Sequence, residues 1–203
     1  MNGHMRILVV MLVGALVVGT NAGCAHVEAS GTHAGPAHDL QEYYPLQVGN
    51  CWTYVTSFQG QPQADLKTCI VREERGYFID DRPAPSRLKY DAEGLRDGGV
   101  RYLLKAPLQK GARWMSVADV RTVERYEILS VDEDVQVPAG HFHDCVVVRM
   151  EVRMDEKHVM HNLLTFAPGV GIVEIRANLK RGTKLIPQSR MRLKEFTPAG
   201  GGS

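Results

Sequence analysis

Alternation of apolar and polar side chains with period two is the strongest constraint in this sequence. Val148, Met150, Val152 and Met154 interleave with Arg149, Glu151, Arg153 and Asp155. Trp52, Tyr54, Thr56 and Phe58 alternate with Thr53, Val55 and Ser57, and Val100, Tyr102 and Leu104 alternate with Arg101, Leu103 and Lys105. Successive side chains of an extended strand point to opposite faces, so each run describes a strand with one face in a core and the other in water. Turn signals separate the runs: Gly60 to Pro62, Asp97-Gly98-Gly99, Pro138-Ala139-Gly140, Pro168-Gly169-Val170-Gly171 and Arg181-Gly182. No long stretch keeps a 3.6-residue period between helix caps. Strands that succeed one another without intervening helices predict a mostly β, antiparallel domain. The pattern counts about nine or ten strands, too many for a flat sheet, and so predicts a strongly curved single sheet or an open barrel.

Within that domain one phrase occurs twice. Pro45-Leu46-Gln47-Val48-Gly49-Asn50-Cys51-Trp52 matches Pro107-Leu108-Gln109-Lys110-Gly111-Ala112-Arg113-Trp114 at Pro, Leu, Gln, Gly and Trp. Proline fixes φ, glycine turns the chain, and tryptophan anchors the next strand. The echo fits either a duplicated strand unit or one turn used twice.

The N-terminal segment is of a different kind. Arg6 precedes an apolar run over residues 7–18, and Ala22-Gly23-Cys24 comes after it. Twelve residues fall short of the roughly 20 needed to cross about 30 Å of hydrocarbon as a helix. They fit the apolar region of a cleaved export signal. A cysteine after Ala-Gly resembles the lipobox of bacterial lipoproteins, which implies a diacylglycerol on Cys24 and cleavage before it. Asn21 stands where the lipobox has Leu or another aliphatic residue. The same leader also fits an ordinary secretory cut near Ala22. The expected organisation is a lipoprotein signal over 1–23, a flexible tether over 24–42, a β domain over 43–197 and a disordered tail over 198–203. The tether is small and polar, with His26, His33 and His38 and no apolar periodicity.

Charge narrows the partners. The chain has 24 basic and 23 acidic residues, and only Arg6 of these lies in the signal. A balanced surface argues against a protein that coats nucleic acid. The charges are uneven, however. Residues 176–194 contain seven basic and no acidic side chains, and Asp132-Glu133-Asp134 makes a small acidic patch. With Cys24 acylated, Cys51, Cys69 and Cys145 remain, and an odd number cannot all pair within one chain. Export places the domain where disulfides persist. Cys51 and Cys69 flank the turn at residues 59–63, so a Cys51–Cys69 bridge between neighbouring strands is expected. Cys145 lies in an apolar run and is expected to be a small core residue.

Three segments carry a family resemblance: Tyr44-Pro45-Leu46-Gln47-Val48-Gly49-Asn50-Cys51-Trp52-Thr53-Tyr54, Val137-Pro138-Ala139-Gly140-His141-Phe142-His143-Asp144-Cys145 and Phe166-Ala167-Pro168-Gly169-Val170-Gly171. In this order they resemble the TapB-like family of exported bacterial lipoproteins and its relatives, whose function is unknown. The resemblance covers roughly residues 43–196. It implies a β-rich envelope domain and brings no catalytic residues.

Candidate chemistry in the residues is sparse. His141 and His143 share a strand face, and His158 and His161 lie a hairpin later. But His158 and His161 differ by three and face opposite sides of a regular strand, so no metal site is expected. Cys145 and His143 are two apart with no third group to orient them. The sequence has no nucleophile elbow, no His-Glu-x-x-His and no phosphate loop. These residues predict no catalytic site, no enzyme and no cofactor. Two functions stand. One is a membrane-tethered, non-catalytic binding or accessory module for an apolar ligand, in which Met150, Met154, Met160 and Met191 would either line a site or fill a dry core. The other is an assembly lipoprotein that contacts another envelope protein through residues 176–194. Either places the chain in the cell envelope, tethered by lipid at Cys24, on the outer membrane facing the periplasm. Replacing Cys24 by Ser is expected to move the protein from the membrane to the soluble periplasmic fraction, and an unchanged distribution would refute lipidation.

Overall fold

The computed structural model describes residues 39–119 and 122–200. The leader, Cys24 and the tether histidines lie outside them. Leu40–Tyr43 form one 3-10 turn, capped by the Asp39 carboxylate and already packed into the domain through the fully buried Tyr43. Twelve antiparallel strands succeed it in one sheet that is nearly closed into a barrel. They are β1 (Cys51–Phe58), β2 (Gln61–Glu74), β3 (Tyr77–Asp80), β4 (Arg87–Tyr90), β5 (Gly94–Asp97), β6 (Arg101–Lys105), β7 (Arg113–Asp119), β8 (Thr122–Val137), β9 (Gly140–Arg153), β10 (His158–Ala167), β11 (Gly171–Arg181) and β12 (Lys184–Thr197). The count exceeds the nine or ten read from alternation, and the shortest strands, β3, β4 and β5, have four residues each, barely enough to display a period.

The order across the sheet is β6-β5-β4-β3-β2-β1-β12-β11-β10-β9-β8-β7. Every strand pairs with its neighbour in sequence, except that β1 pairs with β12 and β6 has no ladder to β7. The chain therefore meanders around the whole ring. Its first and last strands meet, and the one break in the ladder falls at the middle of the chain.

The inward faces make a single core around Trp52, Phe166, Ile70, Ile128, Leu193 and Val148. On β9 Val148 is buried, but Val152 is only half-buried, and Met154, just past the end of the strand, is 60% exposed. The ends of β8 and β9 that meet there run beyond the core.

The repeated phrase builds the same turn twice. At the first copy the Gly49 N–H donates to Ile70 O (2.8 Å), Ile70 N–H to Asn50 O (2.9 Å) and Asn50 N–H to Gln47 O (3.1 Å). At the second, Gly111 donates to Ile128 O (2.8 Å), Ile128 to Ala112 O (2.9 Å) and Ala112 to Gln109 O (3.0 Å). Gly49 and Gly111 have φ of 99° and 86°, which residues with a Cβ rarely adopt. The correspondence extends into the partner strand. Cys51 faces Cys69 in a disulfide across β1 and β2, and at the same step Arg113 faces Glu127 in an ion pair of 3.0 Å across β7 and β8. Each copy thus opens six strands.

Each tryptophan anchors its half. Trp52 stacks between Tyr44 (5.1 Å) and Phe196 (5.3 Å), and its Nε1–H donates to Val170 O at 2.7 Å. Trp114 stacks on Tyr126 at 5.0 Å. They are 1% and 9% exposed. Trp→Ala at either position is expected to cost about 3–5 kcal/mol of stability, read as a lowered denaturation midpoint, and an unchanged midpoint would contradict these core assignments.

Candidate functional site

The break between β6 and β7 is the first place where the structure departs from a plain meander. An unpaired strand edge exposes backbone donors and acceptors that invite other chains. Here side chains occupy that edge. The Tyr102 N–H on β6 donates to Ser116 Oγ on β7 at 3.0 Å, and Trp114 Nε1–H donates to Tyr102 O at 3.0 Å. Ser116 and Trp114 are two residues apart on one face of β7, so together they grip the donor and acceptor of one residue. Beside them, Arg101 Nε on β6 donates to Glu124 Oε2 on β8 at 2.7 Å. Glu124 is 4% exposed and also accepts the Tyr126 hydroxyl at 2.6 Å.

From Arg101 a chain of polar contacts continues along the ends of β5, β4 and β3. Arg101 Nη1 donates to Asp97 Oδ2 (3.0 Å), the Ser86 hydroxyl to the same oxygen (3.3 Å), Arg82 Nη2 to Ser86 Oγ, and Arg82 Nε to Asp80 Oδ2 (2.8 Å). Burial works against the charges of Arg82 and Arg101. Hydrogen bonding to Asp80 and Glu124 respectively, together with the attraction of the neighbouring acidic groups, outweighs it and holds both guanidinium groups above their ordinary range.

Asp80, Arg82, Ser86, Asp97 and Arg101 of this row, with Leu88 and Leu103 from the same strands, line one side of a cavity of about 170 Å3. Leu66, Leu164, Ile172, Ile175 and Met191 make the opposite wall, with Tyr44 and Tyr54 between. Burial pushes both phenols up, so they stay neutral donors through the physiological range. Tyr54 donates to Ile172 O at 2.9 Å. Thr68 also lines the cavity. It is 8% exposed, and its Oγ1 has no hydrogen-bond partner among the described residues. A buried polar atom of this kind ordinarily has one.

Of the methionines expected to line a site or fill the core, Met191 borders the cavity, Met150 packs against the core and Met154 faces water. Cys145 and His143 do not share a face. Asp144 has φ of 52°, and the register between β8 and β9 slips there, which turns His143 outward and Cys145 into the core. Burial pushes the Cys145 thiol up to about 12, so it stays protonated, and it donates to His143 O at 3.7 Å. This bulge is invisible to a count of residues along a regular strand.

The four central histidines lie at two ends of β9. His161 pairs with Glu151, eight residues beyond His143, about 27 Å along a strand. His158 sits on the Asp155 carboxylate at 2.8 Å. At the other end, His143 Nδ1 is 2.8 Å from Asp134 Oδ1, and the rings of His141 and His143 are 4.3 Å apart. Spacing along the sequence does not disclose Asp134 as a partner, because it arrives across the strand pair. The basic stretch 176–194 is also partly neutralised across strands. Arg176 and Arg190 share Glu174, Lys180 meets Glu151, and Lys194 meets Asp65 at 2.7 Å.

No family model and no curated protein matches the chain. Among solved structures it is similar to a candidate lipoprotein from Parabacteroides distasonis, at 13% identity and a TM-score of 0.48, covering 79% of this chain and 100% of that one. It is also similar to a candidate exported protein with a YmcC-like fold from Bacteroides fragilis, at 15% identity and a TM-score of 0.45, covering 76% and 98%.

Proposed function

We propose that this chain is a lipid-tethered envelope protein whose barrel is a non-catalytic module that binds a small amphipathic molecule. The observation that carries this reading is the two-sided cavity, with a Leu, Ile and Met wall facing a charged row and a buried Thr68 hydroxyl without a partner among the described residues. Ligand sites combine a mostly apolar lining with a few placed polar groups. An apolar body would lie on Leu164 and Ile175. A hydroxyl or amine would meet Thr68 and the carboxylates of Asp80 and Asp97. The volume lies below the roughly 300–1,000 Å3 typical of drug-sized ligands, which selects a short molecule over a whole acyl chain. The leader and Cys24 supply the tether and place the module in the envelope, on the outer membrane facing the periplasm. Assembly through residues 176–194 has weaker support, since four of the seven basic side chains there are ion-paired.

Native mass spectrometry of the full chain in detergent is expected to show a small retained mass that is released on denaturation. Ile175→Phe, which fills the cavity, should abolish the retained mass while the chain stays folded. If the native chain retains nothing and Ile175→Phe simply stabilises it by about 0.5–2 kcal/mol, the cavity is a packing gap and the reading fails.

A further inference from the structure

At the tip of the β8–β9 hairpin, away from the cavity, three side chains of metal-ligating type converge. Val135 pairs with Phe142, Gln136 with His141 and Val137 with Gly140, so the strands are in tight register up to the turn. Val137 and Phe142 face the core. Alternation then puts His141 and His143 on the outer face of β9, and Asp134 on the outer face of β8. Continued by one step past Val135 and Phe142, the same register sets His143 level with the Asp134 carboxylate, before the bulge at Asp144. The turn itself is fixed to the far strand by Ala139 N–H, which donates to Leu193 O at 2.9 Å. The outer surface of this hairpin is therefore rigid where the three side chains leave it.

We propose that Asp134, His141 and His143 form a binding site for a divalent transition-metal ion of the zinc or copper class. One ligand atom from each lies within 4.8 Å of the others. Two imidazole nitrogens and a carboxylate oxygen at bond lengths of about 2.0–2.1 Å around a tetrahedral ion stand about 3.3 Å apart. Side-chain rotations at these exposed tips suffice to close the difference. Imidazole with carboxylate suits zinc, copper and nickel over magnesium or calcium, which take all-oxygen sets. The field also favours a cation. Residues 128–148 contain Asp132, Glu133, Asp134 and Asp144 and no lysine or arginine. Binding takes neutral imidazoles and an ionised carboxylate. Exposure leaves the remaining coordination positions to water or to a ligand from a second molecule. The set is distinct from the four-histidine grouping that sequence spacing suggests, since it replaces His158 and His161 by a carboxylate from the neighbouring strand.

The test is zinc titration of the untagged full chain by calorimetry, with Cu2+ paramagnetic resonance as an independent readout. One ion per chain is expected, with nitrogen coupling from two imidazoles in the copper spectrum. His141→Ala with His143→Ala should remove that ion, and Asp134→Asn should weaken it by at least about tenfold, with the far-ultraviolet dichroism unchanged. Replacing His26, His33 and His38 by Ala should leave it in place. A copper spectrum without nitrogen coupling, equal affinity in Asp134→Asn, or loss of the ion only with the three tether histidines would overturn the proposal.

Discussion

The seam between β6 and β7 is the constraint on which this barrel depends. A twelve-strand meander whose first and last strands pair must either complete its ladder at the sixth and seventh strands or leave two raw edges inside one molecule. Tyr102 shows how this chain resolves the choice. Its backbone donor and acceptor are taken by Ser116 and Trp114 side chains, and the adjacent Arg101 is clamped to Glu124. Side chains substitute for a ladder over a short distance, and the edge that would otherwise recruit another chain is covered.

That solution brings charge into the interior. Removing ions from water is costly unless each finds partners. The row from Asp80 through Arg82, Ser86, Asp97 and Arg101 to Glu124 satisfies each member by the next. A row of this kind cannot be packed as tightly as branched apolar side chains, and the cavity lies where it meets the Leu and Ile wall. The same residues thus connect closure of the barrel to the proposed binding site. The opposite side of the ring has no such requirement: β1 and β12 meet along a full ladder, with Trp52 stacked on Phe196 across it.

Much of the architecture is legible in the sequence because it is local. Alternation marks the long strands, Pro and Gly mark their turns, and the Pro-Leu-Gln-x-Gly phrase marks the entry of β1 and β7 together with the tryptophan that each buries. The short strands β3 to β5 are the least legible, since four residues barely show a period. The candidate site escapes for a different reason. Asp80, Arg82, Ser86, Asp97 and Arg101 meet within and between the neighbouring strands β3 to β6, and only the closure of the ring brings Glu124 to Arg101. The histidine cluster depends on the register of β8 against β9, which sets Asp134 opposite His143, and the αL residue Asp144 then turns Cys145 to the other face. Sequence spacing pairs His143 with Cys145, whereas the folded strand pairs it with Asp134.

The central claim is that side-chain contacts across the seam, and not a backbone ladder, hold the barrel shut. A double-mutant cycle with Arg101→Met and Glu124→Gln measures this most directly, by chemical denaturation of the two single variants, the double variant and the native chain. Contact across the seam predicts a coupling free energy of about 1–3 kcal/mol between the two positions. Additive effects, with coupling near zero, would contradict it.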